Sequence, residues 1–148
     1  MFESTEKLGL VVTYTGSEAT PDNRDRYFSF IAEIFADGYS GTSRIDVADR
    51  DVERFADSLD MFYKSLSGEP ELATGWGTEI HFRLRLQKYD SAGKVWMECM
   101  TRRPFGGNRF DECCINQFIE ISQVSEMARF FKAALEYQSI DPLIVPPR

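Results

Sequence analysis

The chain has 148 residues, of which 43% are hydrophobic, and its formal net charge is −7 at pH 7. This length suits one domain with a core of its own, and the composition excludes an intrinsically disordered acidic tail. The excess of acidic residues disfavours a protein that holds nucleic acid through bulk positive charge, whereas it suits a basic partner.

A strand and a loop are predicted at the start of the chain. Alternating apolar residues over Leu8–Tyr14 predict the strand, and the polar stretch Gly16–Asp25 predicts the loop. No internal repeat or low-complexity segment is visible in the sequence. We therefore expect a single domain over residues 1–138, followed by a proline-rich, extended tail over residues 139–148.

The next segment predicts a β-hairpin. Phe and Ile recur at alternate positions over Tyr27–Ala36, which indicates a strand with one apolar face. Asp37-Gly38 follows, and this dipeptide is typical of tight hairpin turns because both central positions of such turns require positive φ. Pairing the two strands across this turn places Phe30 beside Ile45, so that their apolar residues match.

A helix is predicted after the hairpin. Its apolar residues recur at steps of three and four, at Val52, Phe55, Ala56, Leu59, Phe62, Tyr63 and Leu66. Asp49 is the expected N-cap, and Asp51 and Glu53 stand in the first turn, where the helix dipole favours anions. Gly68 is the residue expected just beyond the C-terminal end of the helix.

The middle of the chain predicts a second hairpin. We expect strands over Glu71–Thr74, Thr78–Tyr89 and Lys94–Met100. The short turn between the last two strands sets a register in which Leu86 lies opposite Met97 on the apolar face. On the polar face the same register places Arg85 opposite Glu98, where opposite charges stabilise the ladder by roughly a few tenths of a kcal/mol.

The last third of the chain predicts a strand and a second helix. Thr101–Arg109 is a basic, glycine-rich connection, Phe110–Ile121 alternates as a strand, and an apolar stripe begins a helix near Ser122. Successive hairpins with few helices between them predict an α+β fold, in which an antiparallel β-sheet is built from hairpins. Two amphipathic α-helices would pack on one face of this sheet.

Neither a catalytic centre nor a metal or cofactor site is predicted. His81 is the one histidine of the chain, and no motif supplies it with a nucleophile or an orienting carboxylate. Zinc requires several closely spaced Cys or His ligands, and the Asp46–Asp51 run lacks the glycine and the bidentate glutamate of a calcium loop. The glycine-containing stretches lack the lysine and serine or threonine of a phosphate-binding loop.

The cysteines indicate the compartment. The chain contains Cys99, Cys113 and Cys114, and reduced thiols are expected because their number is odd and two of them are adjacent. Residues 1–10 do not have the pattern of a signal peptide, and no apolar run reaches the length of a membrane span. We therefore expect a cytoplasmic protein with no membrane partner.

Two charged surfaces are predicted. The acidic surface clusters around the first helix and comprises Asp46, Asp49, Asp51, Glu53, Asp57 and Asp60. It is either a solvated helix face or a docking surface for a basic partner.

The basic and aromatic surface lies on the polar face of the second hairpin and in the connection after it. It comprises His81, Arg83, Arg85, Trp96, Arg102 and Arg103. Its arginines are either held in cross-strand salt bridges with Glu79 and Glu98 or available to a partner or an anion.

Several runs of the chain match a known family. They are AEIFADGYSG (Ala32–Gly41), Val52–Phe55 with Leu59 and Leu66, Ser67–Glu69, Glu71-Leu72, and Phe82–Leu86 with the glycine-containing hairpin after it. Through these runs, residues 27–100 of the chain resemble the WapI family immunity proteins. The resemblance implies a cognate toxin, often a nuclease delivered between competing bacteria, which the immunity protein blocks by binding and without catalysis.

Three functions are compatible with these patterns. The first is a non-enzymatic binding protein of the immunity type that neutralises a cognate toxin. The alternative is a small ligand-binding or enzymatic domain whose site lies on the polar sheet face near His81, Arg83 and the Arg102–Arg109 loop. The third is a homo-oligomeric subunit that associates through an exposed sheet edge or face.

Overall fold

The computed structural model of the protein describes residues 9–19, 21–22, 26–36, 39–76, 79–104, 110–137 and 139–146. Within them, the elements in chain order are β1 (Gly9–Ala19), β2 (Arg26–Ala36), β3 (Tyr39–Ala48), α1 (Asp49–Ser65), β4 (Glu71–Trp76), β5 (Glu79–Lys88), β6 (Lys94–Pro104), β7 (Phe110–Glu120), α2 (Ile121–Leu135) and β8 (Leu143–Val145). The predicted turn at Asp37-Gly38 and residues 105–109 of the predicted basic loop lie outside the described residues.

The strands of the described chain form two antiparallel sheets of four strands each. Their orders are β3-β2-β1-β8 and β4-β5-β6-β7, so the predicted α+β class is confirmed. The predicted registers of both hairpins are also confirmed, because Phe30 lies opposite Ile45 and Leu86 lies opposite Met97. Matching apolar faces across short connections are therefore sufficient to set the local pairing.

The topology of the first half is repeated in the second half, although no repeat is visible in the sequence. In the first half β1, β2 and β3 form a meander, α1 begins at the residue after β3, and β4 crosses to pair with β5. In the second half β5, β6, β7 and α2 follow the same order, and β8 crosses back to pair with β1. Each half therefore contributes one strand to the sheet of the other.

The two helices bury corresponding faces. The buried residues that correspond in spacing are Val52, Phe55, Ala56, Leu59 and Phe62 in α1 and Val124, Met127, Ala128, Phe131 and Ala134 in α2. These faces and the apolar faces of both sheets share one core, in which the ring centroids of Phe131 and Phe55 lie 5.2 Å apart. No described helix has both the length and the apolar character that a membrane crossing demands.

Gly41 of β3 lies directly against the second sheet. A Cβ atom at this position would lie 2.6 Å from the Cβ atom of Cys113 in β7 and 2.8 Å from Oγ1 of Thr101 in β6. Gly41 and Cys113 hold corresponding positions in the two halves, equally far before the helix that follows. The close approach of the sheets therefore requires that one of these two positions carry no side chain.

Two strands are longer than the sequence predicts. β1 continues through Gly16–Ala19, which is predicted as part of a loop, after a shift of its pairing register beyond Tyr14. Gly16 has a φ of 138°, which a residue without Cβ adopts readily, so the strand resumes its pairing with β2 after the irregularity. β6 continues through Thr101–Pro104, predicted as a connection, because β7 pairs with it along this whole length.

The ends of α1 also differ from the prediction. Ala48 rather than Asp49 is the N-cap residue, because β3 runs directly into α1. Asp49 is instead the first helical residue, and its Oδ1 accepts a hydrogen bond of 2.7 Å from the backbone N–H of Arg50. At the other end Leu66 is the C-cap residue; its φ is 54° and its N–H donates to the carbonyl of Phe62. The residue just beyond the helix end is therefore Ser67 and not Gly68.

The predicted tail contributes structure to the first sheet. β8 pairs with β1, and its Leu143 and Val145 side chains are buried. Gln117 of β7 lies on the buried face of the other sheet, and its Nε2 donates a hydrogen bond of 3.2 Å to the carbonyl of Pro146. This bond ties the residue after β8 to the second sheet.

Candidate binding surfaces

Three carboxylates of the predicted acidic surface form a stripe along α1. Asp49, Glu53 and Asp57 are spaced at four-residue steps, which places them on one side of the helix. Glu53 and Asp57 are exposed and Asp49 is half-buried. In the part of the chain that the structure describes, neither Glu53 nor Asp57 forms an ion pair. Like charges at this spacing destabilise a helix by about 0.2–0.5 kcal/mol per pair. The helix dipole favours Asp49 in the first turn but does not extend to Asp57, so helix stability accounts for the start of the stripe and not for its end.

The other three predicted acidic residues have partners within the chain. Asp46 accepts a hydrogen bond from the hydroxyl of Ser29 and lies 3.8 Å from Nε of Arg44. Asp51 pairs with Arg54 one turn later, at 3.7 Å. Asp60 pairs with Lys132 and thereby joins α1 to α2.

The central arginine of the basic and aromatic surface is paired differently from the expectation. Nη2 of Arg85 lies 3.2 Å from Oε2 of Glu69, a residue between α1 and β4. Gln87 donates to the other oxygen of the same carboxylate at 3.3 Å. The predicted register opposite Glu98 is confirmed, yet Glu98 accepts a hydrogen bond from Nε1 of Trp96 and forms no ion pair with Arg85. Glu69 is available because the loop after α1 brings it beside β5.

Arg102 of β6 forms a cross-strand ion pair with Glu112 of β7. Its Nε and Nη2 both donate to Oε2 of Glu112, at 3.1 and 2.8 Å. The thiol of Cys114 donates to Oε1 of the same carboxylate at 3.3 Å. The hydrogen bonds from Arg102 and then from Cys114 hold the pKa of Glu112 below its usual range.

The remaining predicted residues of this surface lie on β5 and β6. The side chains of His81 and Arg83 are half-buried on the face of β5 opposite to the core. The Nε atom of Arg83 is buried and has no hydrogen-bond partner among the described residues. Arg103 belongs to β6, opposite Asp111 of β7, and its side chain lies outside the described residues.

An aromatic cluster on the same sheet face is not predicted from the sequence. The ring of Phe118 on β7 lies 4.8 Å from the ring of Trp96 and 4.7 Å from that of Tyr89. Nζ of Lys94 lies 4.9 Å above the Phe118 ring. The signal that could have found this cluster is the pairing of β7 with β6, which sets Phe118 opposite Trp96.

Two grooves lie at equivalent places in the two halves. The α1–β4 groove has a volume of about 410 Å³ and is lined by Asp51, Arg54, Phe55, Ser58 and residues 69–73. The α2–β8 groove has a volume of about 490 Å³ and is lined by Glu126, Arg129, Phe130, Ala133 and residues 140–144. Each groove therefore separates a helix from the strand that crosses to the other sheet.

Comparison of the chain with protein-family models gives no match, and comparison with curated proteins gives none either. Among the described residues, no group of three or more His, Cys, Asp or Glu side chains is arranged to hold a metal ion.

The thiols occupy two different environments. Cys99 and Cys113 are buried in the core, and burial raises the pKa of both. Cys114 is exposed, yet partial desolvation, together with the hydrogen bond to the Glu112 carboxylate, raises the pKa of its thiol to about 11. Because the thiolate is the reactive form, Cys114 is an accessible but slow nucleophile near neutral pH.

This environment predicts the effect of Glu112→Gln on thiol chemistry. Removing the negative charge lowers the pKa of Cys114 and raises the thiolate fraction at a pH of about 8, so the reaction with a chromogenic disulfide reagent accelerates about three- to tenfold. Cys114→Ser is the control, because it leaves only the two buried thiols and abolishes the reaction of the native protein. An unchanged rate in Glu112→Gln would contradict this assignment.

Proposed function

We infer that the chain is a non-enzymatic binding protein of the immunity type, which neutralises a cognate toxin by docking on its acidic surface. The observation that carries this proposal is the stripe of Asp49, Glu53 and Asp57, of which the last two are exposed and form no ion pair within the described chain. A nuclease needs positive charge where it holds its substrate, so such a toxin offers a complementary surface.

The ion pairs within the molecule make the acidic surface a better docking site for a partner than the basic and aromatic surface. Arg85 and Arg102 already pair with Glu69 and Glu112, so a partner would have to replace these contacts. Binding to Glu53 and Asp57 replaces only water, and it relieves the repulsion along the helix. Exposed carboxylates of this kind accelerate association with a basic partner and align it.

The resemblance to the WapI family immunity proteins supplies the partner class of this proposal. The product of the gene adjacent to this one is the partner to test. Inhibition by docking requires no catalytic group on the chain. It requires only that the acidic surface cover the substrate-binding surface of the toxin.

The test is co-expression of the chain with the adjacent gene's product in a bacterial host. We expect the wild-type chain to protect the host, and we expect Glu53→Lys/Asp57→Lys to bind the product about 100-fold more weakly and to lose protection. The control is Glu126→Lys/Asp141→Lys, which changes the net charge equally at the α2–β8 groove and should keep protection. Failure of the wild-type chain to bind or protect would overturn the proposal.

A further inference from the structure

The strand β4 is an edge strand of the second sheet. Within the described residues it pairs with β5 alone, and the backbone N–H of Leu86 donates to the carbonyl of Pro70 at 2.9 Å. Hydrogen-bonded and non-hydrogen-bonded pairs alternate along an antiparallel ladder, so Leu72 bonds to β5 whereas the next residues on either side do not. The N–H and C=O groups of Glu71 and Ala73 therefore point away from β5.

These backbone groups face the α1–β4 groove. Both residues line it, and the opposite wall comes from the first three turns of α1. A strand added at the open edge of β4 would lie about 4.8 Å from it. Phe55 and Leu72 are buried beneath the groove and give it an apolar base. The groove thus offers both a hydrogen-bonding edge and a surface for alternate side chains.

The charges along the groove indicate what kind of segment would bind there. Three carboxylates and one arginine line the groove, which gives it a net negative charge. Asp51 pairs with Arg54 and Glu69 pairs with Arg85, so Glu71 is the lining carboxylate that forms no ion pair within the described residues. Glu71 is exposed on β4. The acidic stripe of α1 lies on a different side of the helix from the groove residues Asp51, Arg54 and Ser58. A segment with basic side chains complements these charges, whereas an acidic segment is repelled.

We propose that the α1–β4 groove binds an extended, lysine- or arginine-rich segment of the partner by addition of a strand to β4. Main-chain hydrogen bonds to Glu71 and Ala73 hold the segment, and its basic side chains contact the carboxylates of the groove. This inference rests on the proposed function and names a further segment of the same partner, which the groove would bind in addition to the acidic stripe.

The probe for this inference is a synthetic peptide of about eight residues with alternating Lys and Val, compared with a Glu and Val peptide of equal length. We expect the basic peptide to bind in fluorescence anisotropy and to slow amide hydrogen exchange at Glu71 and Ala73. Raising the ionic strength from about 0.05 to about 0.5 M weakens this binding, because salt screens the carboxylates.

Variants of β4 separate strand addition from simple charge attraction. Ala73→Pro removes an N–H that points away from β5, a position where an edge strand tolerates proline, and we expect it to weaken peptide binding about tenfold or more. Ala73→Val keeps the N–H and should bind as the wild-type chain does. Glu71→Lys weakens binding severalfold, whereas Glu126→Lys in the α2–β8 groove leaves it unchanged.

Three results would overturn the inference: no binding of the basic peptide, equal binding of the acidic peptide, or wild-type affinity of a folded Ala73→Pro variant. The proposed function is judged separately by the co-expression assay. If Ala73→Pro protects the host as well as the wild-type chain does, the strand-addition inference fails and the proposed function stands. If the wild-type chain fails to protect while the basic peptide binds at β4, the proposed function fails and the groove assignment stands.

Discussion

Phe131→Ala is expected to lower the free energy of unfolding by about 3–5 kcal/mol. The Phe131 side chain is 1% exposed, and its ring centroid lies 5.5 Å from Phe30 of β2, 5.2 Å from Phe55 of α1 and 5.1 Å from Phe130. Truncation leaves a cavity where the second helix meets the first helix and the first sheet. Chemical denaturation followed by circular dichroism measures the loss.

The matched control for this variant is Phe35→Ala. Phe35 is 37% exposed on the outer face of β2, so the same truncation removes much less buried surface. We expect it to cost less than about 1 kcal/mol. Equal losses in the two variants would show that Phe131 does not join the helices to the sheet in the way described.

Gly41→Ala is expected to destabilise the protein by about 1–3 kcal/mol, although alanine is otherwise a small addition. The new methyl group would lie 2.6 Å from the Cβ atom of Cys113, which cannot rotate away, so a strand must shift. Oγ1 of Thr101 at 2.8 Å tightens the site further. Thermal and chemical unfolding of the variant measure the effect.

A double-mutant cycle tests whether the contact with Cys113 is the cause. Cys113→Gly removes the atom that the new methyl group meets, at the cost of weakening β7. In that background Gly41→Ala should cost at least about 1 kcal/mol less than it does in the wild-type chain. Additive losses, or a Gly41→Ala variant within about 0.5 kcal/mol of wild type, would contradict the close approach of the two sheets.

The local pairing of the strands follows from the sequence, whereas their division between two sheets does not. Phe30 meets Ile45, and Leu86 meets Met97, because each pair is brought together by a short connection and a matching apolar pattern. The crossings of β4 to β5 and of β8 to β1 exchange strands between the halves, and no local pattern specifies which half a strand joins. Contacts such as that of Gly41 depend on this exchange.

The residues of the two charged surfaces could be predicted from the sequence, but which of their charges form ion pairs within the chain could not. Asp60 pairs with Lys132 of the other helix, and Arg85 pairs with Glu69 instead of the cross-strand Glu98. Both choices depend on how elements far apart in sequence meet. The stripe of Glu53 and Asp57 could be predicted, because helical spacing alone places these residues together.

The central claim, that the acidic surface of α1 binds a basic partner, is tested most directly by calorimetric titration of the chain with the adjacent gene's product. We expect saturable binding by the wild-type chain, an affinity that falls as salt is raised, and a loss of about 100-fold in Glu53→Lys/Asp57→Lys. Trp96→Ala, on the basic and aromatic surface, should bind as the wild-type chain does. Unchanged affinity in the charge-reversed variant, with binding lost in Trp96→Ala, would contradict the claim.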